Sequence, residues 1–165
     1  MEQKSGVTNF PLDMTEDDLR KAICEVGKRM YQNRLVSATD GNISVRLDKD
    51  RFLCTPSGVS KGFMSPEDLV LADSKGCVIS GKGKITTEFF THLAAYKERP
   101  DIRSVCHAHP PYGVACTLVE ISLVEPILPE VVMSLGGIPT VRYATPASME
   151  GNIVIRETIR ECDAL

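Results

Sequence analysis

The sequence predicts a domain of the α/β class, and three observations carry that expectation. Apolar residues recur at helical spacing behind a capping signal. Leu19, Ile23, Val26 and Met30 fall on one face after Thr15-Glu16-Asp17-Asp18, a cap followed by first-turn acids. Two pairs of short runs are each joined by polar turn residues, the pattern of antiparallel hairpins: Ile43 to Leu47 with Arg51 to Thr55, and Leu69 to Ala72 with Cys77 to Ser80. A helical run beginning near Glu88 is followed by a short, buried apolar strand, Arg103 to Cys106, bounded by charges before and by Pro110-Pro111 after. The length of 165 residues suits one domain with a sizeable core.

Composition narrows the function classes. The 42% hydrophobic and 25% charged residues match a water-soluble globular chain. A net charge of -3 recommends neither nucleic acid nor an acidic membrane as a partner. No apolar run approaches the roughly 20 residues that span a bilayer, and the N-terminus lacks the basic-then-apolar pattern of a targeting segment. Cys24, Cys54, Cys77, Cys106, Cys116 and Cys162 are scattered singly, mostly among apolar neighbours. They read as reduced, buried thiols of a cytoplasmic protein.

Residues 1–14 read as a polar, poorly ordered lead, and residues 15–165 as the domain. The first helix ends near Gln32-Asn33. Asp40-Gly41-Asn42 is ordinary turn chemistry. Thr55-Pro56-Ser57-Gly58 is a second loop, whose Ser-Gly step is either a plain turn or a nest of N–H groups that suits an anion. Ser65-Pro66-Glu67-Asp68 is a capped single turn with proline first. Thr86 or Thr87 caps the next helix, which Pro100 ends. Its free N–H groups and the two hydroxyls offer a phosphate site. Glu88 sits in the first turn, where the helix dipole favours an acid whether or not it has a further role. His92 lies four residues on along the same face, and its apolar neighbours favour a packed core histidine over a ligand. Beyond Pro111 the pattern gives a short helix through Thr117, an apolar stretch from Val119 to Pro129, a strand from Thr140 to Tyr143, and a last helix capped by Ser148 with Ile153, Ile155 and Ile159 inward.

His107 and His109 occupy alternate positions at the end of the Arg103–Cys106 strand and so project together. Two adjacent imidazoles are a common contribution to a catalytic zinc site, which has three protein ligands and one open position. The alternative is a pair of partly exposed histidines hydrogen-bonded to carbonyls.

Gly41-Asn42-Ile43-Ser44, Thr55-Pro56-Ser57-Gly58, Thr86-Thr87-Glu88 and His107-Ala108-His109, in this order and spacing, resemble the class II aldolase and adducin-head family. This is the family of the zinc-dependent fuculose phosphate and rhamnulose phosphate aldolases and the ribulose phosphate 4-epimerase. The resemblance runs from about Thr15 to Leu165. It implies a three-layer α/β/α fold around a central, mostly antiparallel sheet. It also implies a domain truncated at its C-terminus, without its last strand and helix, because the sequence stops before the family's third metal-binding histidine. The implied metal is Zn(2+) or another divalent ion, with His107, His109 and Glu88 as ligands and Glu88 also as general base. The implied phosphate pocket is Gly41, Asn42, Ser57, Gly58, Thr86 and Thr87. Glu130 stands about where the fuculose phosphate aldolases place a tyrosine from a neighbouring subunit. It is a candidate proton donor or an ordinary surface glutamate. The implied reaction is retro-aldol cleavage of a small phosphorylated ketose through a zinc-stabilised enediolate, an aldehyde-lyase activity. A sugar phosphate 4-epimerase, a dehydratase and a non-catalytic adducin-like binding domain remain open. Retention of His107, His109 and Glu88 favours catalysis, and the resemblance implies a homo-oligomer, a tetramer in the family.

Overall fold

Helix α1 (Glu16–Gln32) begins where the capping signal places it. Thr15 Oγ1 accepts from the Asp18 N–H at 3.2 Å, and the Asp18 carboxylate accepts from the Thr15 N–H at 3.0 Å, a reciprocal capping box. The structure, a computed structural model, describes residues 14–165, so the expected lead over residues 1–14 lies outside the described residues except for its last. The inward stripe of α1 differs from the expected one. Val26 is exposed, and Gly27 sits in the buried row with Ile23 and Met30. A Cβ at Gly27 would stand 2.6 Å from the Lys61 carbonyl oxygen, so the missing side chain lets the following loop press onto the helix.

Strands β1 (Asn42–Arg46), β2 (Phe52–Cys54), β3 (Val70–Ala72), β4 (Val78–Ser80) and β5 (Ser104–His107) form one sheet in the order β4-β3-β2-β1-β5. Every neighbouring pair is antiparallel. Both expected hairpins are present, β1 with β2 and β3 with β4. The chain then crosses the sheet through helix α2 (Phe89–Glu98) and returns as β5 on the far side of β1. Side chains alternate across the sheet. Ile43, Leu53 and Leu71 pack with Ile23 and Met30 of α1 on one face. Phe52 and Cys54 pack with Phe89, Leu93 and Tyr96 of α2 on the other. Arg46 fastens the C-terminal end of α2 by donating to the carbonyls of Tyr96 at 3.1 Å and Pro100 at 2.6 Å, groups that the helix end leaves unpaired.

Helices α3 (Pro111–Leu118) and α4 (Pro129–Leu135) bury none of their residues. Helix α5 (Met149–Ile159), capped by Ser148 as expected, lies along α2. Thr91 donates to Asn152 at 2.8 Å, and the Glu98 carboxylate pairs with Arg156 and Arg160. Four expectations are corrected. Residues 140–143 form no strand; Ile138 makes one antiparallel bridge to Leu123, and the segment beyond it has no strand to pair with among the described residues. Ile153 faces out, while Ile155 and Ile159 are half-buried. Strand β5 is not buried: it closes the sheet at one edge, with Ser104 and Cys106 exposed. All six cysteines are free, but only Cys54 is buried. Among the described residues no helix is long and apolar enough to cross a membrane.

Candidate active site

The β1–β5 register builds the site. Asn42 at the start of β1 lies opposite His107 at the end of β5. Gly41, just before, has φ +67°, and a Cβ there would stand 2.6 Å from Val36 Cγ1 and 2.7 Å from the His107 carbonyl oxygen. The chain therefore needs glycine to turn into β1 alongside His107. His107 and His109 come together as expected, with ring centres 4.8 Å apart and planes tilted by 57°. The His109 N–H donates to the Leu35 carbonyl at 2.9 Å, which pins the segment after the strand.

Glu88 reaches the same point from the other side. It lies at the N-cap position of α2, not in the first turn, and neither Thr86 nor Thr87 is the cap residue. The buried Thr86 instead accepts from the Glu88 N–H through its hydroxyl at 3.4 Å, a local turn that competes with the helix start. Glu88 Oε2 accepts from Asn42 Nδ2 at 2.6 Å and lies 2.8 Å from His107 Nδ1. The hydrogen bond from His107, supported by the His107 charge and by Asn42 and opposed by burial, pulls the Glu88 pKa down to about 2. A carboxylate is acceptor-only, so this contact assigns a proton to Nδ1, and in the neutral tautomer Nε2 of His107 is the open acceptor.

That arrangement, carboxylate to imidazole with the far nitrogen open, is how proteins orient histidines that bind metals. Two imidazoles and a carboxylate are also a donor set suited to zinc. Among the described residues, however, no three His, Cys, Asp or Glu side chains converge on one point as ligands. In chemistry, His107 and His109 suit two ligand positions, with ring centres 4.8 Å apart. Glu88 fits a third in chemistry, while its Oε2 is held by His107.

His92 is a core histidine, as its neighbours predict. It is 2% exposed, its Nδ1 lies 2.7 Å from Ser44 Oγ, and the Tyr96 hydroxyl completes the cluster at 2.9 Å. Burial lowers its pKa to about 3, so it is neutral in the folded chain, and its Nε2 has no partner.

The other candidates divide. An isolated bridge, Pro56 to Ile85, lays the 55–58 loop against the residues leading to α2. Gly58 (φ +74°) faces open space, and Ser57 and Thr87 are exposed. The Ser57 N–H is already committed to the Lys84 carbonyl at 2.9 Å, leaving its hydroxyl for a ligand. Asn42 directs its amide at Glu88. An open depression of about 480 Å³ is lined by Thr86 and Thr87 together with Lys84 and Phe90, and the histidines are not part of it. Glu130 is exposed in the first turn of α4 and makes no ion pair among the described residues; no hydrogen bond joins it to Glu88. Sequence reasoning missed Ser44 and Tyr96 behind His92. It also missed Lys61, which is buried and donates to the carbonyls of Thr39 and Val59. A lone lysine between Ser60 and Gly62 carries no periodic signal of burial.

A three-layer domain whose strand-end histidines meet a helix-start carboxylate defines a class, and comparison with known proteins agrees with it. The chain belongs to the Class II Aldolase and Adducin N-terminal domain family, whose profile matches residues 21–165. It is 32% identical over 139 residues to a 3-oxo-tetronate 4-phosphate decarboxylase of Haemophilus influenzae, an alignment covering 82% of this chain and 66% of that protein. It is 32% identical over 151 residues to an L-fuculose phosphate aldolase of Methanococcus maripaludis, covering 92% of this chain and 76% of the other. The crystal structure of the L-fuculose-1-phosphate aldolase from Thermus thermophilus superposes with a TM-score of 0.76 at 32% identity, covering 87% of this chain and 71% of that one. The chain thus spans just under two thirds of the length of the Haemophilus influenzae relative.

Proposed function

We propose that this chain carries the site of a metal-dependent carbon–carbon lyase acting on a small phosphorylated keto sugar. The observation that carries the reading is the Glu88 carboxylate 2.8 Å from His107, beside His109. His107 and His109 would hold a zinc or other divalent ion, with Glu88 as third donor. When bound, that ion supplies Lewis-acid stabilisation of negative charge beside the substrate carbonyl. Glu88, ionised at neutral pH, is the group that takes and returns the proton, which requires its release from His107. Asn42 holds Glu88 on the sheet side throughout. Ser57, Gly58, Thr86 and Thr87, together with Gly41 and Asn42, take the phosphate through hydroxyls and backbone N–H groups. The leading reaction is retro-aldol cleavage of a ketose phosphate. Glu130 has no observed tie to the site, and its part as proton donor depends on a neighbouring subunit of a homo-oligomer. Six free cysteines support a reducing, cytoplasmic compartment.

A second reading is favoured by the likeness to the Haemophilus influenzae decarboxylase. Decarboxylation of a 3-oxo acid phosphate also breaks a bond to the carbon beside a carbonyl and leaves the electron pair there. It differs in releasing carbon dioxide instead of an aldehyde.

Elemental mass spectrometry and two assays decide the matter. The expected result is near one divalent ion per chain, lost in H107A and in H109A, with aldehyde released from L-fuculose 1-phosphate. E88Q is expected to retain phosphate binding and lose at least about 100-fold in turnover. Carbon dioxide from 3-oxo-tetronate 4-phosphate without aldehyde from the ketose phosphate would select the second reading. Failure of both substrates in the metal-loaded protein would favour a binding domain of the adducin kind.

A further inference from the structure

Lys61 is the most unusual charged residue in the described chain. It is 2% exposed, yet no carboxylate lies within ion-pair distance of it among the described residues. Its Nζ donates to two backbone carbonyls, Thr39 at 2.9 Å and Val59 at 2.7 Å. Asp40 acts on it only through space, and the Asp40 carboxylate is engaged by the Ser37 hydroxyl at 2.8 Å. An ammonium has three N–H donors, and these contacts use two. A buried charge without a counter-ion is costly to fold and needs a compensating reason.

The position supplies one. Thr39 lies two residues before Gly41, and Val59 directly follows Gly58. The ammonium therefore spans the two loops assigned above to the phosphate, within about 10 Å of each by chain geometry. Its backbone is immobilised from behind. The Lys61 carbonyl closes on Gly27 of α1, and Gly62 packs so tightly on Tyr31 that a Cβ would stand 2.5 Å from that ring. The phosphate candidates themselves, three hydroxyl residues, two glycines and an asparagine, bring no net charge to a dianion.

We propose that Lys61 is the charge behind the phosphate loops, a positioning residue that holds residues 39–42 and 57–59 in register and lends the pocket its positive field. This rests on the reading of those loops as the phosphate cradle. At such a distance, in a medium of effective dielectric roughly 20–40, one charge changes the affinity for a dianion by about tenfold or more.

The test is inorganic phosphate binding to the full chain by calorimetry, in wild type, K61R and K61Q. The expected result is measurable binding in wild type, a loss of about tenfold or more in K61Q, and substantial retention in K61R. Unchanged binding in a folded K61Q overturns the role of Lys61 and leaves the lyase reading standing. No phosphate binding in wild type overturns both, because the cradle itself is then misassigned. Should K61Q not fold, nitrogen-15 spectra of the wild-type lysine ammonium groups give the answer. The Lys61 resonance is expected to move on phosphate addition while that of the exposed Lys28 stays fixed. A Lys61 resonance that does not move overturns the proposal.

Discussion

Gly41 and Gly58 both take a positive φ, +67° and +74°, and the difference between them isolates what Gly41 does. A Cβ at Gly58 meets nothing within 4 Å, whereas one at Gly41 meets the His107 backbone carbonyl and Val36. G58A is expected to cost only the left-handed strain, about 1 kcal/mol. G41A adds an overlap with backbone that cannot move without displacing His107, so about 3 kcal/mol or more is expected. Urea unfolding of the two variants checks this, and equal losses would show that Gly41 is a turn residue only. The same scale separates what the sequence discloses from what it conceals. Glu88 stands at the N-cap and not in the first turn its local pattern implied, but the pairing of His107 with His109 is legible because alternate positions at a strand end follow from the chain nearby. The tie between Asn42 and Glu88 is not, since it depends on the register of β1 against β5, two strands far apart in sequence. Lys61 is hidden for a related reason: its partners are carbonyl oxygens, which every residue has.

Elements marked by their own side chains are read correctly from the sequence. Helices α1 and α5 start at Thr15 and Ser148 because those hydroxyls accept from N–H groups of the first turn. Elements that need a partner are read less well. Residues 140–143 carry the right residue types for a strand and have no neighbour to pair with among the described residues, and α2 starts late, with Thr86 engaging the Glu88 N–H. The cap on α1 yields a prediction at this scale. T15A is expected to lower the melting temperature by about 2–4 °C, the loss of one cap in a domain of this size. Hydrogen bonds from the Thr15 hydroxyl and then its N–H hold the Asp18 pKa below the usual carboxylate value. A depressed folded value means that the stabilisation is present above about pH 4 and is lost as pH falls through that lowered value. D18N is therefore expected to be less stable than wild type at neutral pH, with the difference closing toward pH 2. A constant difference across that range would show that the box contributes nothing through charge.

The whole molecule has two unlike halves. The sheet, α1 and α2 enclose the core, while the segment from α3 to the start of α5 exposes most of its large apolar side chains. Tyr112 is 89% exposed and Met133 86%, with Leu118, Ile127, Tyr143 and Met149 nearly as open. The sequence shows that this stretch is apolar, but hydrophobicity alone does not say what covers a surface. Exposed apolar side chains, where they adjoin, mark a surface for association. Association through that face is expected, and it agrees with the homo-oligomer proposed above. Sedimentation equilibrium should give a mass that is a multiple of 18.1 kDa and rises with concentration. M133K and I127K place a charge where nothing is packed, so each should shift the distribution toward monomer. Their melting temperatures, measured at a concentration where wild type is also monomeric, should stay close to the wild-type value, because exposed substitutions rarely change stability by more than about 0.5 kcal/mol. A wild-type chain that stays monomeric at high concentration would remove the homo-oligomer and, with it, the route by which Glu130 of one subunit serves the histidines of another. The metal and phosphate assignments would stand, because each is built from residues of one chain.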